Sequence, residues 1–564
     1  MVFFDATGTT DSSLSGNTTA FQDVAYSWDF GDTGASGTST WANGSNPGHN
    51  SRNSATGGVA AHLYVAPGAD TAYVVTVTAH NGTNTASCQL GVTAYDPAGA
   101  SGFAGTNTTC VSASGAPTPG AGGCPAGAAT LTTSSFNTAL GSHMGSGKRV
   151  LFKCGDTFNG DSAMLSGTRW SVGAYGGCEG TQTNRPILSD SGSGGELFIA
   201  VTAGDGRVAD LDLEGNGRGA VGVAVPAGTN VVPYQLTLSN LRSNGNNVSY
   251  TTPQGAQVGI VDSVMTGMRD IGVFINNGGN NPATWSGPFP ADNYEALLGN
   301  SFNGVGAGSG AGIETVRISA CRFCVIENNT LENANYVGAV LKLHNANPSS
   351  SAAWTGVYTE LVEISDNLFT GTSGAQLVET APQNSAVDER LRNIVVERNV
   401  FSPAGGGGRQ LQVSAVNETV RNNVFHSTSA AQSAFGVQAA QRGIEPVPSA
   451  IEVYNNTCDQ VQTCVVFNGV TESAPANNSY AKNNLNYNPA GGTTVSNTGS
   501  GNTVSNNTVS PTSNPGFVNG SGTFSVLSDF KPTANYLGGT IVPVYTDALG
   551  VLWSSGWELG AVSN

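Results

Sequence analysis

One short phrase recurs through the second half of the chain and constrains the fold more than any other feature. An asparagine, usually preceded by another polar residue, is followed by Thr, Leu or Val and then by an apolar side chain. The copies are Asn328-Asn329-Thr330-Leu331, Asp366-Asn367-Leu368-Phe369, Arg398-Asn399-Val400-Phe401, Asn422-Asn423-Val424-Phe425, Asn455-Asn456-Thr457-Cys458, Asn483-Asn484-Leu485 and Asn506-Asn507-Thr508-Val509. Their second residues lie 38, 32, 24, 33, 28 and 23 positions apart. Self-similarity at such a period means stacked repeats, with the shortest spacing as one turn and the longer ones as the same turn plus a loop. Asparagine tolerates the left-handed backbone that a sharp bend between strands requires. Stacked copies can then bond in a ladder while the next apolar residue points inward. Weaker copies appear earlier, at Leu211–Asn216, Leu236–Leu241 and Ile260–Val264.

Composition agrees with an all-β chain. Of 564 residues 77 are Gly and only 10% are charged, against a usual quarter or so charged, which leaves little material for long helices. The formal net charge is −17. Nucleic-acid binding needs clustered Lys and Arg, and docking on an anionic membrane needs the same. Neither partner is expected, and no apolar run approaches the ~20 residues of a membrane span. No signal peptide is visible.

Residues 1–95 alternate with period two, as in Tyr73–Ala79 and Leu90–Ala94. The cluster Tyr26-Ser27-Trp28-Asp29-Phe30-Gly31-Asp32, with Phe4-Asp5-Ala6-Thr7-Gly8 upstream, resembles a polycystic-kidney-disease (PKD) domain, a small immunoglobulin-like sandwich. Trp28 and Phe30 are expected in the inter-sheet core, and Asp29, Gly31 and Asp32 in a tight turn. Only Met1-Val2 precedes Phe3-Phe4-Asp5, where the family has another strand, so an edge open to strand addition is expected. Residues 96–145, rich in Gly, Ala, Pro and Thr, read as a linker or capping segment. From 146 to 564 the repeats resemble the right-handed parallel β-helix of the pectin-lyase-like superfamily. Lys148–Phe158, Gly173–Gly176 and Arg185–Ile187 look like its first coils. Asn514–Phe517, Asp529-Phe530, Asp547–Gly550 and Trp557–Ala561 look like its closing coil. Many activities share that scaffold, so function must be read from a site.

That site is sought on the outward face of the stacked strands. Aligning each repeat by its inward apolar pair leaves Phe274 and Asn276, Lys342 and His344, Gln410 and Gln412, and Gln438 outward. Stacked at ~4.8 Å per rung, they form a polar stripe suited to sugar hydroxyls, with Trp354 in a long loop as a stacking platform. Glu379 has an ambiguous facing because Leu377 and Val378 are both apolar. A lyase on an acidic polysaccharide needs a base and a cation that stabilises the carboxylate. Lys342 or His344 is the candidate base, with Arg317, Arg322 or Arg390 as stabiliser. A hydrolase needs two carboxylates, to be drawn from Glu314, Glu360, Asp366, Glu379, Asp388 and Glu389. The Asp-Asp and Gly-His-Gly of polygalacturonases and the Arg-x-Pro-x-x-Arg of pectate lyases are missing.

Eight of nine cysteines fall in local pairs, read most simply as disulfides in an oxidising compartment: Cys110 with Cys124, Cys154 with Cys178 and Cys458 with Cys464. Cys321 and Cys324 form the fourth local pair, and Cys88 is left over. No metal site or cofactor is expected, and no ligand set for Ca2+ can be named. The functional expectation is an extracellular, cell-surface or virion-surface protein, such as a tail spike, that binds a polysaccharide or surface glycan and in an enzymatic version cleaves it. The alternative is a structural filament or adhesin, a homo-oligomer or fibre subunit assembling through the PKD-like domain.

Overall fold

The computed structural model describes residues 1–14, 19–32, 53–64, 66, 68–181, 183–192, 197–201, 204–215, 219–223, 235–244, 248–250, 257–268, 272–276, 294–305, 314–319, 321–333, 338–344, 358–371, 376–381, 390–403, 407–427, 433–442, 447–468, 474–487, 492–508, 516–517, 526–533, 539, 542–543, 546–550 and 559–563. From Arg149 to Ser505 the chain coils through three sheets in turn, contributing one short strand to each per revolution; in the first coils the third place is taken by a separate three-stranded sheet of Ala163–Leu165, Leu197–Val201 and Gly219–Val223. Among the described residues these sheets hold fifteen, twelve and nine strands, and neighbouring strands in each come from successive revolutions. Their pairings are parallel throughout. The result is the right-handed parallel β-helix that the repeats predicted.

Side chains at alternate positions fill the interior. Phe302, Leu331, Phe369, Phe401, Phe425 and Cys458 form one inward row of the twelve-stranded sheet. Phe369, Phe401 and Phe425 stack on one another with ring centroids 5.0 and 4.6 Å apart. A solenoid interior is open at its ends, and here the first end is closed locally. Thr108–Ser112 and Ala129–Thr132 extend the fifteen-stranded sheet, and the helix Phe136–His143 turns Phe136, Ala139 and Leu140 into the core. At the other end of the chain the sequence suggests a closing coil. The described residues from Leu527 on instead fold back along the flank, where Leu527, Phe530, Ala548 and Val562 cover the outward Val400 and Val424. Gly560 N–H and Ala561 N–H bond to Asn483 O and Thr457 Oγ1. An outward apolar row needs such a cover, which the pattern of the tail alone does not reveal.

The recurrent phrase marks one corner of the coil, and its two polar residues divide the work. The first takes the left-handed conformation: Asn328, Asp366, Arg398, Asn422, Asn455, Asn483 and Asn506 all have φ between 53° and 59°. The second makes a ladder. From Asn300 through Asn329, Asn367, Asn399, Asn423, Asn456 and Asn484 to Asn507, each Nδ2 donates to the next Oδ1 at 2.8–3.1 Å. Each main-chain N–H donates to the same oxygen at 2.9–3.1 Å. The remaining Nδ2 hydrogen reaches a carbonyl of the preceding coil, as from Asn399 to Ile364. The interior asparagines of the ladder are fully buried, so each amide must be satisfied here or not at all.

Residues 1–95 form two antiparallel sheets, Val2–Asp5 with Val59–His62, and a four-stranded one ordered Ser54–Thr56, Ala25–Asp29, Thr71–His80, Thr85–Ala94. Trp28 and Phe30 are buried between them as expected. Asp29 Oδ1 accepts from Gly31 N–H in the turn. Asp32, expected in that turn, instead reaches His62 Nε2 at 3.0 Å in the interior. The sandwich is no detached spacer. It rests on the outer face of the fifteen-stranded sheet, where Val261, Ala296, Leu298, Phe323, Val325 and Val395 join Phe4, Phe21 and Trp28 in one core.

All three expected disulfides are present, and Cys321–Cys324 is a fourth; Cys88 is free and exposed. Two stability predictions follow from these ties. Asn399→Ala removes a buried donor and the acceptor for the Asn367 amides. It should cost about 3 kcal/mol, since each buried group left unpaired costs about 1–3 kcal/mol, read as a lowered denaturation midpoint. Replacing Cys154 and Cys178 together by Ser should cost about 3 kcal/mol through lost loop closure, and reductant should then lower the melting temperature of the variant less than that of the parent.

Candidate functional site

The nine-stranded sheet carries the stripe. Its strands Val273–Asn276, Val316–Ser319, Leu341–His344, Val378–Thr380, Gly407–Val413 and Ser433–Ala439 pair in register. One row reads Phe274, Arg317, Lys342, Glu379, Gln412, Gln438, and a second reads Asn276, Ser319, His344. Leu341, Leu343, Val378, Leu411, Val413 and Val437 fill the core, which turns the intervening residues to the other face. Glu379 thereby lies outward, beside Lys342. Its facing was illegible because the chain bends at Gln376-Leu377, so that Leu377 is buried as well as Val378.

The side chains close into two linked groups. Lys342 Nζ lies 3.2 Å from Glu379 Oε2, which also accepts from Gln376 Nε2 at 2.8 Å. The guanidinium of Arg442 pairs with Glu379 Oε1. One rung away Arg317 Nε donates to His344 Nε2 at 2.8 Å, which places the imidazole's own proton on Nδ1, and Arg317 also faces Glu314 at 3.7 Å. Gln376 and Arg442 could not be found from sequence, since they enter from beyond the aligned strands. The other proposed stabilisers lie elsewhere: Arg322 joins Glu360 and Arg392 in a ladder on the fifteen-stranded sheet, and Arg390 lies beside Tyr358. Asp366 is taken by Arg398, while Asp388 and Glu389 are outside the described residues.

The stripe differs from the open, solvated groove expected of it. Lys342, His344, Glu379, Gln410, Gln412 and Gln438 are all under a tenth exposed. Outward from the coil does not mean facing water here. Two of the glutamines are anchored to main chain, Gln410 Nε2 to His426 O and Gln438 Nε2 to Asn468 O. Gln412 Nε2 and Gln438 Oε1, on adjacent rungs, are buried without a hydrogen-bond partner among the described residues. The side chains of Phe274 and Asn276, and all of Trp354, lie outside the described residues. Two cysteine–carboxylate groupings have metal-like spacing, but their sulfurs are disulfide-bonded: Cys154 and Cys178 with Glu179, and Cys321 and Cys324 with Glu295.

Ion pairing in so dry a setting is costly to break. Glu379→Leu should destabilise by about 3–5 kcal/mol by removing the carboxylate that Lys342 and Gln376 share. Lys342→Met combined with Glu379→Leu should recover most of that loss in a double-mutant cycle, since the partly exposed Arg442 can turn to solvent.

No protein-family model matches the chain, and no curated protein is detectably similar in sequence. Among solved structures the chain is similar to the pectate lyase Pel9A, at 12% identity and TM-score 0.32, covering 82% of this chain and 98% of that one. A second is the GH136 lacto-N-biosidase from Eubacterium ramulus, at 11% identity and TM-score 0.37, covering 71% and 68%. A third is the A-module of the mannuronan C-5 epimerase AlgE4 from Azotobacter vinelandii, at 13% and 0.31, covering 66% and 94%. Similarities this distant leave the activity to be argued from the side chains.

Proposed function

We propose that the chain is a polysaccharide-acting β-helix protein whose binding site is the row from Arg317 to Gln438. The observation that carries this reading is the concentration of buried ionic groups on adjacent rungs. Among the described residues Arg317, Lys342 and the partly exposed Arg442 pair with Glu314 and Glu379. Buried charge is poor value for stability alone and concentrates where chemistry needs it. This grouping of cations favours an acidic sugar in a chain that is otherwise strongly acidic. Gln412 and Gln438 offer a neighbouring donor and acceptor for hydroxyl groups.

A β-elimination is the reaction these residues serve best. Arg317 neutralises the uronate carboxylate and thereby acidifies the C5 proton. Lys342, once it has released its own proton to solvent, takes the C5 proton as the C4–O bond breaks, C4 and C5 become doubly bonded, and the departing O4 takes a proton from water. Hydrolysis fits less well, because Glu379 is held by two cations and so is a poor proton donor. The PKD-like cluster of the sandwich and the disulfides support an extracellular, cell-surface or virion-surface setting. One observation favours the structural alternative. The edge strand Thr85–Ala94 is largely exposed, with Leu90 57% accessible, and contains no charged residue to discourage strand pairing.

Incubation with a panel of acidic and neutral polysaccharides tests the reading. Unsaturated uronide product, seen by ultraviolet absorbance, should appear with an acidic substrate, and Lys342→Ala should lower its rate about 100-fold or more. Absence of both product and retention on every polysaccharide, together with concentration-dependent assembly lost in Leu90→Lys, would leave the filament reading in its place.

A further inference from the structure

Among the described residues the layer between the sandwich and the coil holds more carboxylates than cations. On the coil side Glu327, Glu363, Glu397 and Asp366 meet two guanidinium groups, those of Arg398 and Arg421. Both cations are committed, Arg398 to Asp366 and Glu397, and Arg421 to Glu397. The sandwich adds Thr56, whose Oγ1 donates to Glu397 and accepts from Arg398, and the main-chain oxygen of Gln22, which accepts from Arg421. Farther along the same outward row of the sheet, Asp23 of the sandwich meets Glu452 beside Tyr454 and Tyr480.

Glu327 and Glu363 remain. Both are buried, and neither oxygen of Glu363 nor Oε2 of Glu327 has a hydrogen-bond partner among the described residues. A Cβ at Gly57 would collide with Glu363 Oε2, so sandwich backbone sits directly on this carboxyl group. An unpaired carboxylate cannot be kept dry in contact with a second carboxylate and a covering backbone.

We propose that Glu363 is a pH-sensitive latch, which seats the sandwich on the coil when protonated and releases it when ionised. Burial, with the negative Glu397 adding to it, raises Glu363 well above its ordinary value despite Arg398 and Arg421. Burial raises Glu327 in the same direction. Glu397 is equally buried, yet Arg398 and Arg421 hold it down at about 2, so it stays ionised. Burial and Asp23 raise Glu452 to about 8, which acts with Glu363. A raised carboxyl contributes stability below its unfolded value of 4.5 and loses it as pH climbs above that. Docking therefore weakens by up to tenfold per pH unit for each proton released. Release uncovers the apolar strip Val261, Ala296, Leu298 and Val325, so the device gates a surface as well as a joint.

Hydrogen exchange of the full chain, corrected for the intrinsic pH dependence of exchange, reads the latch directly. Opening of residues 54–62 and 294–298 should rise more than about 100-fold between pH 5 and pH 8. In Glu363→Gln, which keeps shape and removes the titration, that rise should be at least about tenfold smaller. The ladder amides of Asn399 and Asn423 should stay protected in both proteins, which separates undocking from unfolding. Equal protection of the interface at both pH values, or a Glu363→Gln variant that opens as the parent does, would overturn the proposal.

Discussion

The asparagine ladder is the constraint on which the rest depends. Each rung of a parallel coil could in principle slip by one residue against the next, and a slip of one sends every inward side chain outward. Each ladder Oδ1 accepts from both the side chain and the main-chain N–H of the preceding coil's asparagine, as Asn399 does from Asn367, so the corner cannot slip without orphaning buried groups. The phenylalanine row stacks because of that fixed register. The outward row acquires its order for the same reason: with register fixed, Lys342 has to lie beside Glu379, and Arg317 beside Lys342.

The second organising fact is that the outward faces are not free. Sandwich, tail and stripe each bury side chains that in an isolated coil would meet water. Such burial gives ionic groups on these faces unusual weight, because Coulomb terms and desolvation costs both grow as water leaves. On the nine-stranded sheet the charges find partners at 3.2 Å and 2.8 Å and can serve binding or proton transfer. On the fifteen-stranded sheet the Glu363 carboxyl and Oε2 of Glu327 find none among the described residues, and protonation is the remaining way to keep them buried.

Much of the fold was legible because local chemistry dictates it. The doublets at 328–329, 366–367 and 398–399 announce a bend and a ladder in four residues each, and the structure divides those roles between the two positions. The disulfide pairs were legible from proximity in sequence alone. The site was legible in part: Lys342 and His344 alternate with core leucines, so their outward facing could be read. Their burial could not, since alternation along a strand gives the facing of a side chain and not its exposure. Arg442 and Gln376 were invisible because they reach Glu379 from outside any aligned strand. Glu363 drew no notice in the sequence, where it alternates with the core residues Val362 and Ile364, and the approach of Gly57 gives it its meaning.

The most direct test of the account is a crystal structure of the protein soaked with an acidic oligosaccharide. The account predicts density along the nine-stranded sheet, with a sugar carboxylate bonded to Arg317 or Lys342 and hydroxyl groups on Gln412 and Gln438. An oligosaccharide bound elsewhere, with the Lys342–Glu379–Arg442 group undisturbed and still buried, would contradict it and reduce that group to a structural ion pair.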